Sequence, residues 1–306
     1  MQKLYILGHP VAHSKSPVMY NAVYQQLGLP WEYGFADIPT VDEATDFLNA
    51  KDYLSLNITT PYKPQAYEAA EIKASTAQLA GGVNLLVNKD GHLMGFNVDG
   101  QGAVRFLERE GVGFMDRKVV VCGTGPTALS ILHACVLAGA GEVLLLGRDK
   151  ERARRVMERY VEEFRHLAST AIPMPSAEDN HLDFVDAYAH AEYRFGSYET
   201  SKKAIAAADV IVDATVLGMR EGDPAPFDVS LFREGQVALD TVYGHGETEF
   251  VRAAKAAGCA AYDGAGMLVS QAALSVVTLC EVQDVPLELG FDRLFDIMSK
   301  AAGFGL

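Results

Sequence analysis

Basic side chains are in short supply in this chain: 26 Lys and Arg face 40 Asp and Glu, a formal charge of −14. That balance excludes a broad nucleic-acid surface, which needs a basic stripe against phosphates, yet it permits a local basic pocket for an anionic ligand. Cysteine is sparse too. Cys122, Cys135, Cys259 and Cys280 lie in apolar contexts without CxxC spacing, so they read as buried thiols rather than disulfides or a metal site. The opening MQKLYILGHPVAH holds too short an apolar run for a signal peptide, and no apolar run approaches the roughly 20 residues of a membrane helix. Repeats and low-complexity tracts are missing. What these absences leave is a cytoplasmic protein with neither nucleic acid nor membrane as partner.

What is present is an ordinary globular composition, 49% hydrophobic and 22% charged over 306 residues, enough for one large or two medium domains. KLYILG reads as a buried strand, SPVMYNAVYQQLGL as a helix with Pro17 in its first turn, WEYGFADI as a strand, DEATDFLNA as a helix and YLSLNIT as a third strand. That alternation is the rhythm of a parallel sheet. VNLLVNKDGHLMGFN reads as a hairpin turning at Lys89-Asp90-Gly91. From Gly102 a helix leads into a second module: strand KVVVC, a glycine turn, an apolar helix, strand GEVLLLG, a long charged helix, and the later strands ADVIVDAT and GQVALDTVY. The mixed polar and aromatic stretch Ser169–Lys203 gives no readable pattern. The fold class is therefore α/β with two domains. Residues 1–102, rejoined by closing helices at about 264–306, form one, and 103–263 form a Rossmann-type doubly wound domain.

Gly123-Thr124-Gly125-Pro126-Thr127-Ala128 is a G-x-G-x-x-A turn between an apolar strand and an apolar helix. Gly123 permits the bend, Gly125 lets the backbone approach a pyrophosphate, and Ala128 allows close packing of helix on strand. At the end of the next strand, Arg148 and Arg152 suit the 2′-phosphate of NADP, whereas Asp149 is able to repel that phosphate or grip a ribose as in NAD sites. The same three side chains also suit a plain solvated helix start.

In the first module three polar clusters follow strands: HSKSP (residues 13–17), NITTPYK (57–63) and GFNVDG (95–100). Ligands collect at the carboxyl ends of strands in open α/β sheets, and a lysine beside a carboxylate can move the proton of an alcohol while its hydride moves to a nicotinamide. Pro61 and Pro64 limit the freedom of the loop around Lys63. Alone, Lys63 reads as a surface lysine, Asp99 as a turn aspartate before Gly100, and Ser14 and Ser16 as helix caps.

Taken together, GHPVAHSKSPVMYN, NITTPYK, AGGVNLLV, GFNVDGQG, GTGPTA, DATVLGM, DTVYGHGETEF and GAGMLVSQAAL stand in the order of the shikimate dehydrogenases, and the chain resembles that family, with its quinate/shikimate branch, over nearly its whole length. The resemblance implies reversible oxidation of shikimate to 3-dehydroshikimate with NADP, or NAD, as cofactor. It implies Lys63 and Asp99 as the acid/base pair, and Ser14, Ser16, Thr59, Asn84, Tyr243 and Gln271 as substrate-binding residues. Gly123, Gly125, Ala128, Arg148, Asp149, Arg152, Thr215, Gly218 and Met219 fall at its cofactor positions, and no metal is implied. The partner is a small ring acid, and the protein is expected as a monomer or homodimer.

Departures from the family pattern bear on specificity. Leu85 and Val98 stand where the family has threonines, replacing two hydroxyls expected beside the substrate, which favours a less hydroxylated or differently substituted ring. Pro126 replaces a glycine, Asp149 a threonine, and Asp213 the asparagine of N-A-T. Oxidation of quinate or an amino-substituted analogue is thus an alternative within the class. A non-catalytic ring-acid sensor is the alternative outside it, although such a sensor has no need of both Lys63 and Asp99.

Overall fold

A computed structural model describes residues 2–170 and 191–306, with side chains up to 167 in the first stretch. The chain divides into two compact units, Met1–Ala103 with Gly266–Leu306, and Val104–Ala265.

The first unit is built on a six-stranded sheet of β1 (Gln2–Gly8), β2 (Trp31–Asp37), β3 (Ser55–Ile58), β4 (Ile72–Lys73), β5 (Leu85–Lys89) and β6 (His92–Phe96), in the order β2-β1-β3-β5-β6-β4. The helices between these strands are α1 (Ser16–Gln26), α2 (Val41–Ala50), α3 (Lys63–Ala69) and α4 (Ser75–Ala80). β1 runs parallel to β2 and β3, but β5 enters antiparallel to β3. The expected parallel rhythm therefore stops at β3. Its cause is the β5–β6 hairpin, whose turn places Asp90 and Gly91 at positive φ (53° and 86°) as a two-residue primed turn requires. Thr40 caps α2: its Oγ1 accepts from the Glu43 amide at 3.3 Å and donates to Glu43 Oε2 at 2.9 Å. Leu7, Leu48, Leu56, Tyr62, Leu86 and Leu93 fill the core between sheet and helices.

The second unit follows α5 (Asp99–Arg109). It holds β7 (Lys118–Cys122), α6 (Pro126–Leu137), β8 (Glu142–Gly147), α7 (Lys150–Thr170), β9 (Glu192–Ser197), α8 (Lys202–Ala206), β10 (Val210–Asp213), β11 (Val237–Asp240), α9 (Glu249–Ala256) and β12 (Ala260–Tyr262). Its sheet has the order β12-β11-β10-β7-β8-β9 with every pairing parallel. This is the doubly wound arrangement, whose topological switch point lies where β7 meets β10. Strand β9 and helix α8 occupy the end of the stretch that gave no pattern in the sequence. The rest of that stretch, 171–190, lies outside the described residues.

Two closing helices, α10 (Ala265–Val282) and α11 (Phe291–Ala302), complete the chain. By length and composition α10 is able to cross a membrane, which the absence of a longer apolar run did not foretell, but 61% of it is buried inside the structure. Ser275 on α10 accepts from Asn57 Nδ2 of β3 at 3.1 Å, so the helix is bonded into the sheet of the first unit.

Candidate active site

Three polar side chains meet at the carboxyl end of the first sheet. Lys63 is the first residue of α3, and the loop before it is anchored by the buried Tyr62, whose hydroxyl donates to the Ile38 carbonyl at 2.6 Å. Asp99 is the first residue of α5. The Lys63 ammonium pairs with Asp99 Oδ2, and the two side chains are only 16% and 9% exposed. The other carboxylate oxygen of Asp99 accepts from Asn84 Nδ2 at 2.7 Å, while Asn84 Oδ1 accepts from the Val98 amide at 2.9 Å. Asn97 Oδ1 accepts from the Asp99 amide at 3.2 Å, and Asn97 Nδ2 donates to the Gly82 carbonyl at 2.9 Å. The carboxylate is thus fixed from both sides, and it holds the ammonium in turn.

The other expected residues of this unit gather in neighbouring loops. Ser14 Oγ donates to Ser16 Oγ at 3.1 Å at the start of α1, and Ser16 is buried. Thr59 opens the loop after β3, half-buried. Gly8 makes these loops neighbours, since a Cβ on it would stand 2.4 Å from Thr59 Cγ2 and 2.6 Å from Val11 Cγ1. Gln271 is half-buried on α10, its amide donating to the Leu268 carbonyl at 3.1 Å. Beneath it lies Gly102 of α5, where a Cβ would stand 2.7–2.9 Å from Gln271 Cβ, N and Cα. Gly102 was read only as a boundary marker, yet it sets how closely the helices bearing Asp99 and Gln271 pack. Tyr243 belongs to the second unit, half-buried in the loop after β11. Leu85 and Val98 are almost wholly buried. Asn57 opens the NITTPYK cluster, and its bonding role is legible only in the structure: it accepts from the Tyr33 hydroxyl at 2.9 Å and bonds Ser275. The signal available was a polar residue inside a strand.

Residues 6–86 match the family described as "Shikimate dehydrogenase substrate binding domain". Shikimate dehydrogenase (NADP(+)) of Symbiobacterium thermophilum is 33% identical over 88% of this chain and 85% of its own length. The chain belongs to the shikimate dehydrogenase family. The enzyme of the same name from Alkaliphilus metalliredigens is 30% identical over 92% of each chain. Among solved structures, shikimate 5-dehydrogenase from Thermus thermophilus, in complex with NADP(H) and shikimate, superposes with a TM-score of 0.77 at 26% identity, over 98% of this chain and 100% of that one.

In the second unit the glycine turn follows the carboxyl end of β7. Gly123 takes φ +115°, and a Cβ on it would stand 2.8 Å from the Ala214 carbonyl oxygen. Gly125 is the N-cap of α6, with no side chain capping the helix and open space where a Cβ would be. A pyrophosphate fits such an opening, facing backbone amides and the positive end of the helix. Ala128 is fully buried behind it. Arg148 and Arg152 are exposed, and neither has an acidic partner within 4 Å among the described residues. Asp149 is otherwise engaged: Oδ1 accepts the amides of Glu151 at 2.8 Å and Arg152 at 3.3 Å, capping α7. Thr215, Gly218 and Met219 form the loop after β10. Thr215 donates its amide to Asp213 Oδ1 at 2.9 Å, Gly218 at φ +92° packs against Thr248, and Met219 is exposed. Tyr198, just past β9, was not anticipated; burial pushes its phenol up, and the Gly123 backbone and Arg148 act on it in the opposite direction.

Proposed function

We propose that the protein catalyses the reversible oxidation of shikimate to 3-dehydroshikimate, with NADP as cofactor. The observation that carries this reading is the Lys63–Asp99 ion pair, joined across 36 positions of sequence and buttressed by Asn84, in a chain of this family. Oxidising a ring alcohol removes a hydride from carbon and a proton from oxygen. Lys63 and Asp99 take up the hydroxyl proton in that direction and return it in the other. Ser14 and Ser16 bind the ring carboxylate through their hydroxyls, and Thr59, Asn84, Gln271 and Tyr243 bind the remaining ring substituents. NADP, when bound, supplies the hydride acceptor. Gly123 and Gly125 hold its pyrophosphate with Ala128 packing the helix against the strand behind them, Arg148 and Arg152 hold its 2′-phosphate, and Thr215, Gly218 and Met219 its nicotinamide end. The capping role of Asp149 removes much of its claim on a ribose, which supports NADP over NAD. Four buried free cysteines support a cytoplasmic setting.

Lys63→Ala is expected to lower turnover by about 10²–10⁴-fold with the fold retained, although leaving Asp99 unpaired lowers the melting temperature. Near-native turnover in that variant would remove the mechanism. Shikimate, quinate and an aminoquinate, each offered with NADP and with NAD, separate the substrate readings. A preference for quinate or its amino analogue is the outcome that apolar Leu85 and Val98, in place of two threonines, would favour.

A further inference from the structure

Two buried carboxylates stand side by side beneath the glycine turn of the second unit. Asp213 ends β10, Asp240 ends β11, and they are register partners in adjacent parallel strands, 1% and 0% exposed. On its other side Asp213 is the register partner of Cys122, the residue before Gly123. The Ala214 amide donates to the Cys122 carbonyl at 2.9 Å, and the Ala214 carbonyl is the atom that a Cβ on Gly123 would strike. The strand end that carries Asp213 therefore adjoins the glycine turn, with Ala214 packed against Gly123.

No cation pairs with either acid among the described residues. Asp240 is the better supplied with donors: Oδ1 accepts the Val242 amide at 2.9 Å and Oδ2 the Thr248 hydroxyl at 2.6 Å, against the Thr215 amide at 2.9 Å on Asp213 Oδ1. Around the pair stand Cys122 on β7, the Tyr198 hydroxyl after β9, Arg148 beyond Tyr198, Thr215 on the β10 loop, and Asp263 after β12 acting on Asp240. Burial pushes the Cys122 thiol and the Tyr198 phenol up, so both stay neutral. Burial, and then the charge of Asp240, raise Asp213 to about 7, while burial raises Asp240 to about 6. Adjacent buried carboxylates without a cation share a proton. Asp240, holding the two donors, keeps the charge, and Asp213 keeps the proton.

We propose that Asp213 is a proton-controlled positioning residue for the dinucleotide: the turn binds a pyrophosphate with Asp213 neutral, and loss of that proton weakens the binding. This rests on the reading of the second unit as the cofactor module. A neutral side chain at this position leaves the helix start and backbone amides of the turn unopposed. An ionised one sets a buried negative charge beneath two phosphate charges in a medium that screens poorly. Binding then draws a proton onto Asp213.

The test is calorimetric titration of the full chain with NAD, which has no 2′-phosphate, and with NADP, each in two buffers of different ionisation heat. For wild type, NAD binding at about pH 7.5 should take up about half a proton, and affinity should fall up to about tenfold from about pH 6 to about pH 8.5, one pKa unit of coupling. NADP should show less net uptake, because a 2′-phosphate gathered by arginines gives up its own proton. Asp213→Asn should take up none with NAD and bind equally across that range. A wild-type titration without proton uptake overturns the proposal, as does an Asn variant that keeps the wild-type pH profile. Should the Asn variant not fold, the wild-type proton count with NAD decides alone. Binding of neither dinucleotide at any pH overturns the cofactor reading as well, whereas tight, pH-independent binding overturns the proposal only.

Discussion

A carboxylate that holds an ammonium in place needs its second oxygen occupied, and Asn84 does this for Asp99. Because the same amide accepts the buried Val98 N–H, Asn84→Ala strands two groups at once. It should cost about 1–3 kcal/mol in denaturant unfolding and lower turnover as well. His133 shows a different burial. It sits on α6 with its ring nitrogen 3.0 Å from the Tyr160 hydroxyl, and burial lowers its pKa to about 4. A histidine depressed in the folded state contributes stability that is full above about pH 6.5 and lost as the pH falls through about 4. The stability difference between wild type and His133→Gln should therefore shrink by about 3 kcal/mol between pH 7 and pH 4, read from urea titrations at each pH. Lys63 and Asp99 were legible in the sequence because their chemistry and motif order coincide. The state of Asp213 was not, since it depends on which residue the adjoining strand places opposite, and register is set by the whole sheet.

Among elements, the approach of α5 to α10 decides where Asp99 and Gln271 stand, and it depends on one missing methyl group at Gly102. Gly102→Ala forces a side chain against the backbone of Gln271. Over-packing of this kind costs about 1–3 kcal/mol and should depress substrate affinity together with thermal stability. Substitution at Asp149 tests a cap: Asp149→Ala should cost about 1 kcal/mol by chemical denaturation while leaving NADP binding in place, since its carboxylate serves α7. The hairpin of β5 and β6 was readable from its Asp-Gly turn, and the glycine turn from its position between strand and helix. The sheet order of the first unit was not, because an antiparallel entry and a crossover to β4 are long-range pairings that local periodicity does not encode. Strand β9 escaped for a simpler reason: Glu192, Arg194 and Phe195 do not make an apolar run.

At the scale of the molecule, the paired acids of the second sheet bear on stability as well as on binding. Asp213 is raised to about 7, so its contribution is full below the unfolded carboxylate value near 4 and is lost as the pH rises toward 7. Asp213→Asn should therefore gain on wild type across that interval, by about 3–4 kcal/mol, and hold a constant lead above it in melting experiments. Both halves of the discontinuous first unit are needed for one network: the Tyr33 hydroxyl, Asn57, Ser275 and the Gln271 carbonyl form a continuous hydrogen-bonded chain. Asn57 and Ser275 are 218 positions apart. During synthesis Asn57 is made before the whole of the second unit, and Ser275 after it. A chain cut after residue 265 therefore leaves Asn57 Nδ2 without its acceptor on α10, and the network of the first unit closes only once α10 is joined to it.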